Sequence, residues 1–354
     1  MKSLTRTLSG AVRRMLAAAA IMLVAVQTVA AQTAADVQRV VNAAYDKYKT
    51  LQEGKNADYI PALAKVDPNV YGIAVVTPDG QVFTAGDLST EVSIQSVSKV
   101  FTMAYVFQHK GEKALEDNIG VDATGQPFNS IVAIEQYKGK EMNPLVNAGA
   151  ITTTSLIDGS SKEDIWNTII GLMSDFAGRQ LGVNQEVYES EAATNQRNQA
   201  IAQLMFAYEH IKSDPMRATD LYTKQCAISV NARDLAVMAA TLAAGGRNPI
   251  TNKQVIPAEL VPGVLAVMAT AGLYDDSGKW LFATGLPAKS GVGGGLIAVS
   301  PGKFGIAVVS PPLDGAGNSV RGQKAITDIS NALGGNPFAV STRATASRKN
   351  PEKK

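Results

Sequence analysis

Ser96 and Lys99 stand three positions apart where a helix begins, in a chain that offers little histidine for the same work: only His109 and His210 are present. A serine hydroxyl is a weak nucleophile until a neighbour removes its proton, and that neighbour is commonly a histidine or a desolvated lysine. Positions three apart share a helix face, so Ser96 can meet Lys99, whereas Ser98 points away. A nucleophile at a helix N-terminus also lies beside backbone N–H groups that lack an intrahelical acceptor, and these can stabilise a developing oxyanion. For Lys99 to act as a base its pKa must fall several units from about 10.4, which takes burial or a neighbouring cation. The same residues also fit a capped helix start with a solvated lysine, because S-x-x-K is short and common.

A second element narrows the choice. Residues 286–295 read Leu-Pro-Ala-Lys-Ser-Gly-Val-Gly-Gly-Gly, just before an apolar run. In serine enzymes of the penicillin-recognising type, S-x-x-K is joined by a K-[ST]-G box on an edge strand that faces the nucleophile. Lys289-Ser290-Gly291 resembles that box, which makes Lys289 and Ser290 candidate supporting residues. The glycines would let the backbone approach a ligand closely. As a phosphate loop the segment fails, because Ala288 stands where the Walker pattern needs glycine.

The elements that must position these residues follow from periodicity. Val37, Val40, Val41, Ala44, Tyr45, Tyr48 and Leu51 predict an amphipathic N-terminal helix. Strands over 70–76 and 82–84 around Pro78-Asp79-Gly80 predict one hairpin, and strands over 296–299 and 304–309 around Pro301-Gly302 predict another. Between them, Ser160 with Glu163 predicts a capping box ahead of Ile165 and Trp166. A further helix fits 198–210. Asn231 with Asp234 caps a helix over 234–242, ended by Gly245-Gly246, and 318–333 reads as a closing helix. The hairpins lie more than 200 positions apart. The economical assembly is therefore one antiparallel sheet built from both ends of the chain, an α/β (α+β) architecture flanked by helices with a helical subdomain inserted. The sheet lobe takes about 32–115 and 230–340, the helical lobe about 116–229, and a cleft between lobes is the expected site.

The first 31 residues stand apart. Lys2, Arg6, Arg13 and Arg14 precede a short apolar run over 15–26, and Val29-Ala30-Ala31 supplies small residues before Gln32. This predicts a signal peptide over 1–31 cleaved near Ala31/Gln32; the run is too short for a spanning helix of about 20 residues. An exported, periplasmic protein with no membrane association after cleavage is expected. The Arg13-Arg14 pair hints at twin-arginine export, although the residues after it match that signal poorly. Without the leader, Lys+Arg fall from 33 to 29 against 31 Asp+Glu. The tail 341–354 holds five basic residues against one Glu and predicts disorder. The remaining body is mildly acidic, which argues against nucleic acid as partner. Cys226 is the single cysteine, so no disulfide forms within the chain, and with two distant histidines no metal site is expected.

Ten segments, in order, resemble the serine-dependent glutaminases. They are Ala57-Asp58-Tyr59-Ile60-Pro61, Ser93-Ile94-Gln95-Ser96-Val97-Ser98-Lys99, Phe128-Asn129-Ser130-Ile131, Asn143-Pro144-Leu145-Val146-Asn147-Ala148-Gly149-Ala150 and Tyr188-Glu189-Ser190-Glu191. Arg197-Asn198, Tyr222-Thr223-Lys224-Gln225-Cys226, Leu273-Tyr274-Asp275 with Ser277-Gly278, residues 286–295 and Gly317-Asn318-Ser319-Val320 complete them. The resemblance covers about 57–322. It implies the β-lactamase-like fold and hydrolysis of L-glutamine to L-glutamate and ammonia without a cofactor. It further implies Ser96 as nucleophile, Lys99 as the group that takes its proton, and Tyr274 as an aid to proton transfer toward ammonia. The backbone N–H groups of Ser96 and Val292 would hold the oxyanion, while Tyr59, Asn147, Glu191, Asn198 and Tyr222 would read the amino-acid head. Ala271-Gly272 replaces the Cys-Gly often found there in the family, a change outside the mechanism. Assembly as a homodimer or homotetramer is a further expectation.

Two other readings stand beside this one. A penicillin-recognising hydrolase or peptidase would suit S-x-x-K, K-S-G and export, but needs S-D-N or Y-x-N on the helical lobe; the near match Ser229-Val230-Asn231 falls at a helix cap. A non-catalytic periplasmic amino-acid binder would need neither Ser96 nor Lys99.

Overall fold

Both predicted hairpins form, and they pair with each other. In the computed structural model of the chain, which describes residues 33–140 and 142–339, seven strands occur: β1 (Gly72–Val76), β2 (Val82–Gly86), β3 (Val92–Ser93), β4 (Ser229–Val230), β5 (Ala288–Ser290), β6 (Gly295–Ser300) and β7 (Phe304–Val309). Five make one antiparallel sheet in the order β2-β1-β7-β6-β5, with Ala74 opposite Ala307 where the two ends of the chain meet. The short strands β3 and β4 form a separate pair. The leader over 1–31 and the tail 341–354 lie outside the described residues. From Gln38 onward the chain is one compact unit, to which the sheet and the site belong.

Every residue of β1, β5, β6 and β7 is buried. That is why these strands read as continuous apolar runs rather than alternating ones. The helix Ala232–Ala243 lies across β7, β6 and β1, and Val320–Ala332 also packs on β7 and β6. The first of these carries Ala at five of its twelve positions, which lets it approach the sheet closely. Gly305 on β7 completes the contact: a Cβ there would stand 2.1 Å from the backbone nitrogen of Ala240. Gly305→Ala should therefore lower stability by about 3 kcal/mol, an overpacking cost borne by backbone. Gly171→Ala, in a helix interior with open space around it, should raise stability by roughly 0.5–1 kcal/mol. Urea unfolding checks both, and a Gly305→Ala midpoint equal to wild type would refute the close-packing account.

The middle of the chain is helical. Asn147–Ser155 packs on Ser98–Lys110, Gln196–Ala207 and Pro215–Cys226, while Lys162–Ala177 packs on Ser98–Lys110, Pro215–Cys226 and Ala232–Ala243. The Asn231 cap is a full capping box, with Asp234 N donating to Asn231 Oδ1 and Asn231 N to Asp234 Oδ2, both at 3.0 Å. The other predicted box, Ser160 with Glu163, does not form, and a simple cap stands one residue later. Ser161, in extended conformation, accepts from Asp164 N at 3.1 Å, and Ser160 instead bonds the Asp164 carboxylate. The helix expected over 198–210 is Gln196–Ala207. His210 lies beyond it, with Nε2 at 2.8 Å from Lys138 O.

Candidate active site

Ser96 occupies a single 3₁₀ turn, Gln95–Val97, that leads directly into the helix Ser98–Lys110. The turn opens under strain: Gln95 has φ +49°, a left-handed value that costs a non-glycine residue of order 1–3 kcal/mol. Its surroundings hold it there. Ser98 Oγ donates to Gln95 O at 2.7 Å, Gln225 Nε2 donates to Ser98 Oγ at 2.9 Å, and Ile94 N donates to Ile228 O at 2.8 Å.

Lys99 is fully buried at the start of that helix. Its ammonium group donates to Asn147 Oδ1 at 2.7 Å and Leu145 O at 3.3 Å, and lies 5.7 Å from the Tyr222 ring centre. Among the described residues no carboxylate forms an ion pair with it. Burial pushes its pKa down to about 8, opposed by the fields of Cys226 and Glu191. The Ser96 hydroxyl stands beside the Tyr274 hydroxyl, and among the described residues the hydrogen bonds of Lys99 go to Asn147 and Leu145 rather than to Ser96. Catalytic hydrogen bonds often tighten only with substrate in place.

Tyr274 is the second strained residue at this point, with φ +56°. Ser277 Oγ braces it, accepting from Leu273 N at 2.9 Å and donating to Tyr274 O at 2.7 Å. The Tyr274 hydroxyl donates to Ser290 O at 3.1 Å, and its ring packs on Phe128 with centres 4.8 Å apart. Lys289 joins the same carbonyl: Nζ donates to Ser290 O at 2.6 Å and lies 4.2 Å from the centre of the Tyr274 ring. Burial, with the charge of Lys99, holds the Lys289 amine well below its ordinary range; burial also raises the Tyr274 hydroxyl above its own. The Lys289-Ser290-Gly291 box thus lies on edge strand β5 and meets Tyr274 at one backbone oxygen.

The glycines after that box serve a contact within the chain. A Cβ on Gly293 would stand 2.3 Å from Ser93 O, and one on Gly291 2.8 Å from Ile94 O. Bare backbone lets the turn run against the segment that leads into Ser96. It thereby brings Val292 to the cleft, where among the described residues the Val292 N–H donates to no backbone acceptor.

The cleft holds about 310 Å³ and is bordered by Tyr59, Ser96, Asn147, Glu191, Asn198, Tyr222 and Val292, seven residues drawn from seven separate segments. Lys99 and Tyr274 stand in the wall behind Ser96. Asn147 is the hub. Its Oδ1 accepts from Lys99 and, at 3.2 Å, from the Tyr222 hydroxyl, while its Nδ2 donates to Asn198 Oδ1 at 2.9 Å. Glu191 is only 7% exposed and accepts from Gln95 Nε2 at 3.2 Å. Burial raises its pKa to about 7, against the opposing effects of that hydrogen bond and of Lys99. Asn147 opens the helix Asn147–Ser155, and Glu191 is buried on the helix Gln185–Ala192. Tyr59 stands at the rim, 55% exposed.

Sequence reasoning gave no role to Gln95, Phe128 or Asn195, all of which border the cleft. Gln95 and Phe128 lie within segments that resemble the family, but nothing local marks a left-handed Gln95. Among the described residues no group of three His, Cys, Asp or Glu side chains is placed to hold a metal ion.

An antiparallel sheet flanked by helices, with a helical lobe meeting it at the Ser96 cleft, is the β-lactamase-like fold of a serine-dependent amidohydrolase class. The sequence profile of the Glutaminase family matches residues 54–338. Glutaminases of Mycobacterium ulcerans and Colwellia psychrerythraea are each 52% identical to it, over 84% and 85% of this chain and 93% and 97% of theirs. Glutaminase 1 of Escherichia coli K12 is 48% identical over 85% of this chain and 97% of its own. Among solved structures, a probable glutaminase superposes with a TM-score of 0.85 at 48% identity, covering 86% of this chain and 99% of the other. Mglu in its glutamate form gives 0.81 at 35%, covering 86% and 70%. The chain belongs to the glutaminase family.

Proposed function

We propose that this enzyme hydrolyses L-glutamine to L-glutamate and ammonia through a glutamyl ester on Ser96. Lys99, neutral above about pH 8, takes the Ser96 proton as Oγ attacks the side-chain amide carbon. The oxyanion accepts hydrogen bonds from the N–H groups of Ser96 and Val292. Tyr274 passes a proton to the departing nitrogen, the C–N bond breaks and ammonia is released. Water then attacks the ester by the reverse proton path, freeing glutamate and restoring Ser96. Glu191 pairs with the α-ammonium group, while Tyr59, Asn147, Asn198 and Tyr222 hold the rest of the amino-acid head.

The observation that carries this reading is the meeting, in one cleft, of Ser96 with a buried carboxylate, Glu191, close to a buried lysine, Lys99, that has no ion-pair partner among the described residues. The relatives named glutaminase, and the neighbour solved in its glutamate form, support it. The test is ammonia release from glutamine, asparagine and glutamate γ-esters, run beside labelling by a fluorescent penicillin. Glutamine turnover without labelling supports the proposal; labelling without turnover favours a penicillin-recognising hydrolase, and glutamine binding without ammonia a binder. Asparagine, one methylene shorter, should be disfavoured by about 1–3 kcal/mol.

Glu191 gives a further test. Its carboxyl is neutral below about pH 7 and cannot then pair with an ammonium, so KM should fall as pH rises through that value. Glu191→Gln should raise KM by roughly 30-fold or more, as for a buried charge pair that loses one partner, and should abolish this pH dependence. An unchanged KM in steady-state assays would remove Glu191 from substrate recognition.

A further inference from the structure

The segment Gly317-Asn318-Ser319-Val320 stands out in the sequence, and none of the catalytic steps uses it. It closes a short loop that begins after β7. Ser310 N donates to Gly294 O at 2.9 Å, and a Cβ on Gly294 would stand only 2.5 Å from Pro311 Cα, so the loop runs against the turn that carries Val292. Leu313 then packs in one apolar cluster with Val292 and Ile60. Its backbone also exchanges hydrogen bonds of 2.8 and 3.1 Å with Lys55, in the segment leading to Tyr59. At Gly317 the loop meets two parts of the site at once. A Cβ there would stand 3.6 Å from Val292 Cγ1 and 3.6 Å from Tyr274 Cε2. Ser290 Oγ, from the box on β5, donates to Gly317 O at 3.5 Å.

The shape of this loop hangs on one side chain. Asp314 Oδ1 accepts from Ala316 N and Asn318 N, both at 3.0 Å, and Oδ2 accepts from Gln323 Nε2, on the helix Val320–Ala332, at 2.7 Å. Its backbone adds two bonds: Asp314 N donates to Asn318 O at 2.9 Å, and Gly317 N donates to Asp314 O at 3.1 Å. An aspartate that bonds the backbone just ahead of it fixes a turn, and here the turn holds Gly317 at φ +95°. Val292 and Tyr274 act on opposite ends of one scissile amide, the first on its oxygen and the second on its nitrogen. Such groups stabilise a transition state only when their places are set beforehand. We propose that Asp314 is a positioning residue of the hydrolysis, which through Gly317 fixes Val292 and Tyr274 relative to one another and so sets the spacing of oxyanion donor and proton donor. Neither Asp314 nor Gly317 borders the cleft, and the amino-acid head is held at Glu191, Asn147 and Asn198. Asp314 therefore acts on the transition state and not on ground-state binding. The proposal rests on the glutaminase reading and adds a residue to it.

Two variants of Asp314 test this in steady-state assays, with thermal unfolding to show that each is folded. Asp314→Ala removes all three side-chain bonds. Asp314→Asn keeps the Oδ1 acceptor and, with Gln323 turned to present its amide oxygen, the third bond as well. Because a small misplacement of catalytic groups costs up to about 100-fold, Asp314→Ala should lower kcat for glutamine roughly 20-fold or more with KM within about twofold, and Asp314→Asn should recover kcat to within about threefold of wild type. Glutamate γ-esters with a good leaving group need the oxyanion donors but little help from Tyr274, so Asp314→Ala should slow them less, by roughly fivefold. A folded Asp314→Ala enzyme with wild-type kcat, or one whose loss lies in KM, overturns the proposal. So does unchanged γ-ester turnover, which would free Val292 from the loop, and so does an Asp314→Asn enzyme as slow as Asp314→Ala. Should Asp314→Ala not fold, Gly317→Ala replaces it: at φ +95° a side chain is strained, so kcat should fall roughly fivefold or more with KM kept, and an unchanged kcat overturns the proposal. Failure of the glutaminase reading looks different, because wild type would then release no ammonia from glutamine.

Discussion

Ser96→Ala is expected to remove ammonia release from glutamine almost completely, by at least about 10⁴-fold in kcat, since nucleophile and base act as a unit. The fold should not notice. Ser96 contributes one hydroxyl within a 3₁₀ turn whose shape is set by Ser98, Gln225 and the β3 region. Glutamine should still bind, because Glu191, Asn147, Asn198 and Tyr222 remain. A coupled ammonia assay, thermal unfolding and calorimetric glutamine binding together make the test decisive. Turnover within tenfold of wild type would exclude Ser96 as nucleophile, whereas loss of turnover together with loss of folding would be answered by Ser96→Cys, which keeps a nucleophile.

Lys99→Met carries the second large effect. Burial lowers the pKa of Lys99 to about 8, and a base works in its deprotonated form, so kcat/KM of wild type should rise with pH through about 8. Lys99→Met should cost about 10³-fold or more in kcat, and the residual activity should lack that rise. Stability should change little or improve. The substitution removes a buried charge with no carboxylate partner among the described residues, while Asn147 Oδ1 keeps the Tyr222 hydroxyl as a donor. A Lys99→Met enzyme that keeps a tenth of its activity, or keeps the same pH limb, would assign the proton transfer elsewhere. Tyr274 would be the first place to look, since its hydroxyl stands beside Ser96.

What could be read in the chain was what depends on neighbours in sequence. The hairpins around Pro78-Asp79-Gly80 and Pro301-Gly302 and the Asn231–Asp234 box are local devices, and each appears where its residues stand. Ser160 and Ser161 are chemically alike, so only the backbone conformation could choose Ser161 as the cap. The site was legible as a set of residues through resemblance, but its wiring was not. Nothing near Lys99 in sequence announces Asn147, and nothing near Glu191 announces Gln95; both contacts join segments dozens of residues apart. The left-handed backbones of Gln95 and Tyr274 were equally hidden, since neither residue type favours that region. They are imposed by the packing around them.

The pairing of β1 with β7 has a consequence for timing. One half of this central contact is made early in synthesis and the other more than 200 residues later, and the late segment also carries Val292 and Tyr274. A chain that has made its helical middle, with Asn147 and Glu191, but lacks that late segment should therefore still be inert. Ammonia release therefore requires the sheet closed by the C-terminal strands, and marks a finished molecule rather than a partly folded one.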